Sequence, residues 1–325
     1  MPMKMSLRIA LPLCALLLAA CGENKVNRLA AALVLSPAIS ELDAALSCPP
    51  TADLSHQPVL LIHGTGADAS IWQLNYVPLL TSRGFDVCTV TLPLHSWGDI
   101  QNATEYVVHA VRIMAARYDQ KVAMIGHSQG AAEMVWAIKW WPDIGPLISD
   151  YIGLAGANHG APIAEQVCLL GICPPAAWQL KPESQFFATM NADDETPGAL
   201  PYSSIYSETD TTAVAPTSVI AGASNIAVQQ LCPGREVSHA QILSDAVAFA
   251  LVMDALTHPG PASADRIDPA VCAEDRAPGL DAQQAQLDEQ VGLALFLRTS
   301  AEASLVAAEP PLRAYAVKSS ASQAR

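Results

Sequence analysis

Ser128 stands between two glycines in "GHSQG", and that spacing makes it the strongest candidate nucleophile in the chain. A serine hydroxyl attacks an acyl carbon only when a base removes its proton, and the base in turn needs a carboxylate to orient it. After a G-x-S-x-G serine the expected order along the chain is serine, acid, histidine. His239 and His258 are the histidines placed late enough to be the base. His239 lies in "REVSHAQIL", a loop entering a helix, whereas His258 ends a helix beside Pro259 and reads as a cap, so His239 is preferred. His127 is expected to shape the pocket. Among Asp143, Asp150, Asp193, Asp194 and Asp210, the preferred acid is Asp210, which follows the strand-like "YSSIYS". Asp143 and Asp150 are assigned to the loop after the serine's helix, and Asp193 and Asp194 to a solvated surface pair. An oxyanion formed by such an attack needs donors already in place. Gln129 offers the backbone N–H after the serine, and Thr65 in "HGTGA" offers a second donor between two glycines. Chemistry of this kind requires no cofactor, and the scattered histidines with unpaired cysteine spacing argue against a metal site.

Elements of a particular kind must hold these residues. "VLLIHG" at Val59 to Gly64, "FDVCTVTLP" at Phe85 to Pro93 and "KVAMIG" at Lys121 to Gly126 are short apolar runs, as in strands buried on both faces of a parallel sheet. "ADASIWQLNYVPLLTSRG", "TEYVVHAVRIMAARYD" and "GAAEMVWAIKWWP" carry helical spacing between and after them. Alternation of this sort predicts an α/β fold, a mostly parallel sheet with helices on both faces. "YIGLAGAN" and "YSSIYS" continue the strands, and "AQILSDAVAFALVMDALTHPG" is a long apolar helix. Residues 158–187 are proline-rich with little strand character and read as a lid-like insertion over the sheet edge. The main domain is expected over 56–317, after a tether and N-terminal segment at 21–55, with a short tail at 318–325.

The net charge of −14, from 17 basic and 31 acidic residues, excludes a phosphate-binding surface and so a nucleic-acid partner. No feature points to an obligate protein partner. At the N-terminus Lys4 and Arg8 precede a short apolar run and then "LAAC", the pattern of a lipoprotein signal peptide over residues 1–20, with Cys21 the residue lipidated and Gly22 favouring the outer membrane. A membrane contact through the Cys21 anchor, at the bacterial cell envelope, is expected. With Cys14 and Cys21 set aside, Cys48, Cys88, Cys168, Cys173, Cys232 and Cys272 remain, an even number suited to three disulfides in an exported chain. Pairing of sequence neighbours gives 48 with 88, 168 with 173, and 232 with 272, although spacing leaves other pairings open.

Taken with "LSCPP", "GTG", "NATEYVVHAV", "SQG", "YSETDTTAVAP" and "PPLRAYAVK", these residues resemble the alpha/beta-hydrolase serine lipases over most of the chain. The resemblance implies the alpha/beta-hydrolase fold, Ser128 as nucleophile, Asp210 as acid, His239 as base, Thr65 and Gln129 as oxyanion donors, and the disulfides Cys48–Cys88 and Cys232–Cys272. It implies hydrolysis of carboxylic esters or lipids. A polyester depolymerase or an acyltransferase would use the same three residues, and an envelope lipoprotein that keeps the fold only as a scaffold is the non-enzyme alternative. His127 departs from the family, as do Cys168 and Cys173 in the insertion. The anchor is open to a direct check: palmitate should label the wild-type chain and not Cys21→Ser, and equal labelling of both would remove the lipoprotein reading.

Overall fold

The computed structural model describes residues 33–50 and 55–317. The signal segment, Cys21 and residues 318–325 lie outside them. Contacts divide the chain into Met1–Val34 and Leu35–Arg325, and all that follows concerns the second unit.

Seven strands form one sheet: β1 (Leu46–Ser47), β2 (Val59–Ile62), β3 (Val87–Val90), β4 (Val122–His127), β5 (Ile148–Leu154), β6 (Tyr202–Tyr206) and β7 (Ser224–Ala227). They lie in the order β1-β3-β2-β4-β5-β6-β7, parallel throughout except for β1. Strand side chains alternate in direction, so Val59, Leu61, Ile125 and Ile152 share one core cluster, while Leu60, Ile62 and Met124 face the other way. Both sets are fully buried, which is why β2 and β4 read as unbroken apolar runs.

The helices in chain order are α1 (Ile39–Ala45), α2 (Tyr76–Thr81), α3 (Ile100–Tyr118), α4 (Gln129–Trp140), α5 (Ile163–Val167) and α6 (Pro175–Gln179). They continue as α7 (Gln185–Met190), α8 (Ala215–Ser218), α9 (Val228–Leu231), α10 (Ala246–Thr257) and α11 (Ala282–Glu302). α10 is almost wholly apolar and joins the cluster that holds Val59 and Ile152, together with residues of α2. α3 and α4 pack on each other and against β2 and β4. Because β3 and β4 leave β2 on opposite sides, the strand order reverses at β2. A crevice opens beyond the carboxyl ends of the strands at such a reversal, and ligands of open α/β sheets bind there.

Several expectations need correction. Ile39–Ser47 falls within the stretch assigned to a tether, yet it forms α1 and the antiparallel edge strand β1. Leu42 is buried, and the Cys48–Cys88 disulfide fastens the segment to β3. Asp150 belongs to β5, not to the loop after α4. β7 was not anticipated, because "SNIA" is four residues long and half-exposed at its start. The insertion holds α5, α6 and the start of α7, and its Ile163, Val167 and Leu180 line a cavity that Ser128 also lines.

Three disulfides join Cys48 with Cys88, Cys168 with Cys173, and Cys232 with Cys272. The first and last each close a sequence separation of 40, the middle one a separation of 5. By loop-closure entropy the longer loops contribute about 4 kcal/mol each and the short one about 2 kcal/mol. Replacing Cys48 and Cys88 by alanine should therefore lower the melting temperature clearly more than replacing Cys168 and Cys173. Equal losses would show that local packing, not loop closure, sets the contribution.

Candidate active site

Ile62 of β2 pairs with Gly126 of β4, so Gly64 and Ser128, each two residues further on, arrive at the same level. Their backbones come so close that a Cβ on Gly64 would lie 2.7 Å from the Ser128 Cβ. A Cβ on Gly130 would lie 2.6 Å from the Ile62 carbonyl oxygen and 2.7 Å from that of His63. Glycine at both positions is what allows α4 to start hard against β2. Ser128 itself takes φ 56° and ψ −124°, a conformation disfavoured for an L residue, at the corner between β4 and α4. The corner is held from several sides. Ser128 N–H donates to the Leu154 carbonyl at 3.0 Å, and the Ser128 carbonyl accepts from Ala131 and Ala157 N–H, both at 3.1 Å.

From that corner a continuous polar chain runs across the strand ends. Ser128 Oγ lies 2.9 Å from His239 Nε2, and His239 Nδ1 lies 2.7 Å from Asp210 Oδ2. The second oxygen of Asp210 accepts backbone N–H groups of Thr212 at 2.7 Å and Ala213 at 3.2 Å, which fixes the carboxylate plane. Asp210 follows β6 by four residues, and His239 lies in the loop between α9 and α10. Thr209 ties these two segments: its hydroxyl accepts from Val237 N–H at 2.9 Å and donates to the Val237 carbonyl at 3.2 Å. Thr209 is absent from the sequence candidates, and its place beside Asp210 is the signal that points to it.

The structure also brings Thr65 and Gln129 together, with the Thr65 hydroxyl donating to Gln129 Oε1 at 2.5 Å. Gln129 opens α4 directly after Ser128, so its backbone N–H has no intrahelical acceptor. The other candidates lie elsewhere. Asp143 pairs with Arg112, and Asp194 accepts nothing from His239 but caps its own turn at Thr196. Asp193 lies in that same solvated turn. His258 caps α10 and faces Asp254.

A cavity of about 400 Å³ covers the serine. Its polar wall carries Thr65, Ser128 and His239; facing it are Ile163, Val167 and Leu180 of the insertion, and Leu293 and Phe296 of α11. The contribution of α11 was not foreseen, because its alanine- and glutamine-rich sequence carries only a weak apolar stripe. It is fastened at the site, where Thr299 Oγ1 donates to the Gly66 carbonyl at 2.9 Å and accepts from Trp97 Nε1 at 3.1 Å. Beside the cavity the Cys168–Cys173 loop holds Leu169 and Leu170 outward, 82% and 87% exposed, with Ile172 next to them.

His127 lies under His239. Its Nε2 donates to the His239 carbonyl at 3.0 Å, and the two rings are 4.7 Å apart. Burial, with the nearby His239 ring adding to it, pushes the His127 imidazole down to about 3, so it stays neutral while it holds the His239 backbone.

Comparison with known proteins places the chain in company consistent with this arrangement. A family model described as "Alpha/beta hydrolase family" matches residues 59–307. Lipase B of Pseudozyma antarctica is 26% identical over 228 residues, 67% of each chain. The crystal structure of Aspergillus fumigatus lipase B superposes with a TM-score of 0.79 at 27% identity, over 88% of this chain and 73% of that one. A Bacillus licheniformis lipase shares the fold, with a TM-score of 0.53 at 15% identity over 66% of this chain and 98% of that one.

The neutral His127 carries a pH signature. An unfolded chain takes up a proton at this ring below about pH 6.5, while the folded chain does not until near 3, so His127 draws stability away as pH falls through that window. His127→Gln keeps an N–H donor and loses the titration. The melting temperature of the variant minus that of the wild type should rise between pH 7.5 and pH 5, and a constant difference would contradict a neutral, buried His127.

Proposed function

The chain belongs to the alpha/beta hydrolase family, and on that premise we propose that it is a lipase or esterase that cleaves carboxylic esters through Ser128, His239 and Asp210. The observation that carries the reading is the unbroken hydrogen-bond chain from Ser128 Oγ through both nitrogens of His239 to Asp210. His239 Nε2 takes the proton as Ser128 Oγ attacks the ester carbonyl carbon, and Asp210 keeps Nδ1 protonated and stabilises the imidazolium. The carbonyl oxygen, now negative, is received by the Gln129 backbone N–H at the start of α4 and by the Thr65 backbone and hydroxyl. Collapse of the tetrahedral centre expels the alcohol, which takes its proton from His239 and leaves an acyl-enzyme. Water then attacks the acyl carbon with His239 again as base, releasing the acid and restoring Ser128.

The walls favour an apolar acyl group. Ile163, Val167, Leu180 and Leu293 give a bound chain hydrocarbon contact and little else, which suits esters of medium to long acids. Leu169, Leu170 and Ile172 lie at the rim, where an apolar surface would meet aggregated substrate. Both lipase B relatives carry the name of enzymes acting on lipids. The reading extends to location. With residues 1–20 removed and Cys21 acylated, the hydrolase is tethered at the bacterial cell envelope as an outer-membrane lipoprotein. Support for that part is the sequence pattern alone, since those residues lie outside the described ones.

A fluorophosphonate probe should label the wild type and leave Ser128→Ala unlabelled, and that substitution should cut kcat on the order of a millionfold at little change in melting temperature. His239→Ala should be comparably damaging and His258→Ala close to wild type. Retention of a tenth of the rate by Ser128→Ala, or greater damage from His258→Ala than from His239→Ala, would overturn these assignments.

A further inference from the structure

Glu133 lies one turn beyond Gln129 in α4, and its side chain is 0% exposed. Its neighbours in the helix, Ala131, Ala132, Met134, Val135 and Trp136, are equally buried and apolar. A carboxyl in such a place costs stability, because burial strips away its hydration. Among the described residues no cation offsets that cost: Oε1 accepts from Gln129 Nε2 at 2.9 Å, and Oε2 has no hydrogen-bond partner. Burial pushes the group up to about 8, so at neutral pH it stays uncharged.

The value of Glu133 lies in what Gln129 does with its own amide. Gln129 Nε2 donates to Glu133 Oε1 and, at 3.2 Å, to the Ser96 carbonyl. Both amide hydrogens are thereby committed to acceptors on one side, and Gln129 Oε1 must face the other way, where it accepts from the Thr65 hydroxyl at 2.5 Å. An amide turned over by half a rotation would lose both donations and set an NH2 group against Thr65. The Thr65 oxygen is thus held near the start of α4, and when an oxyanion forms, its hydrogen reaches that oxyanion by rotation about the Cβ–Oγ bond alone. Ser96, the third member, sits in a run of three residues with positive φ, Leu94, His95 and Ser96, whose conformation aims the Ser96 carbonyl inward.

We propose that Glu133 is a positioning residue for the oxyanion site, acting through the Gln129 side-chain amide to fix the Thr65 hydroxyl beside the Gln129 backbone N–H. This assignment rests on the ester-hydrolase reading for its catalytic consequence, and on the hydrogen bonds alone for its structural one. It accounts for a buried carboxyl that contributes nothing to the core and pairs with no charge. It also makes a demand that a structural role would not: removing the carboxyl should slow the reaction while leaving the protein as stable as before or more so.

Glu133→Leu removes the acceptor at similar volume. On a soluble p-nitrophenyl ester its kcat should fall about tenfold with KM within about twofold, less than the hundredfold to thousandfold that follows loss of an oxyanion donor outright. Glu133→Gln keeps an acceptor oxygen at the same place and should restore most of the rate. An unchanged kcat in Glu133→Leu, or a fall equal in both variants, would overturn the proposal. Glu133→Met fills the same space and carries the same expectations should Glu133→Leu give no folded protein.

A second arm does not depend on turnover. The melting-temperature shift caused by Thr65→Val should be smaller in the Glu133→Leu background than in the wild type, because the link through Gln129 is already broken there. Equal shifts in the two backgrounds would refute the link. A wild type inert toward esters, with unequal shifts, would refute the hydrolase reading and leave the positioning intact.

Discussion

The backbone at Ser128 is pinned between β4 and α4 by contacts that leave no room for side chains, and the rest of the site is arranged around that fact. Gly130 lies against the carbonyls of Ile62 and His63, and Gly64 lies against Ser128 itself. A residue with positive φ at this corner costs free energy, and the sheet supplies it through three backbone hydrogen bonds at Ser128 and the register of β2 on β4. Three of the residues around the serine then follow strand ends, and His239 comes from the loop between α9 and α10. Thr65 follows β2, Gln129 follows β4, and Asp210 follows β6. The fold thereby makes a rigid frame of parts that are far apart in sequence.

Electrostatics in the crevice are managed mostly by keeping groups neutral. His63 and His127 are both buried and both held below their usual range by that burial, to about 4 and about 3. Each still works as a hydrogen-bonding group: His63 Nε2 accepts from Leu92 N–H at 2.9 Å, and His127 supports the His239 carbonyl. Glu133 is neutral for the same reason. Asp210 receives two backbone N–H groups on the oxygen away from the histidine. A serine–histidine–aspartate arrangement set among neutral buried groups meets little competing charge as an oxyanion develops.

Much of this was legible in the residues. A glycine-flanked serine between an apolar strand and a helix reads directly, because the steric need for glycine at Gly126 is a local one, set by Gly130 and Ala131 in the first turn of α4. His239 and Asp210 were reachable through chain order and their places after strands or in loops. What was not legible depends on tertiary contact. β7 is short and half-exposed, so neither length nor alternation marks "SNIA". α11 is a weakly amphipathic helix whose role over the cavity comes from Thr299 reaching Gly66. The segment at Ile39–Ser47 looked like a tether, since its alanines and single buried Leu42 show no regular pattern until the Cys48–Cys88 bond is known. Glu133 carries a signal of its own, a lone carboxylate inside the apolar run from Ala131 to Ile138, four residues after Gln129.

The margins of the sheet deserve to be read as surfaces in their own right. β1 is two residues long and runs antiparallel to its neighbour, β7 is four residues long, and a disulfide stands near each: Cys48–Cys88 beside β1 and Cys232–Cys272 just after α9, which follows β7. An open edge with a long row of free N–H and C=O groups invites a foreign strand to add itself, whether from a second copy or from an unfolding neighbour. These margins offer almost no such row, and the cross-links keep it from lengthening by fraying. Crowding therefore has few ways to convert this chain into a strand-paired aggregate, and exposed apolar side chains such as Leu169 and Leu170 at the cavity rim offer a different ground for association.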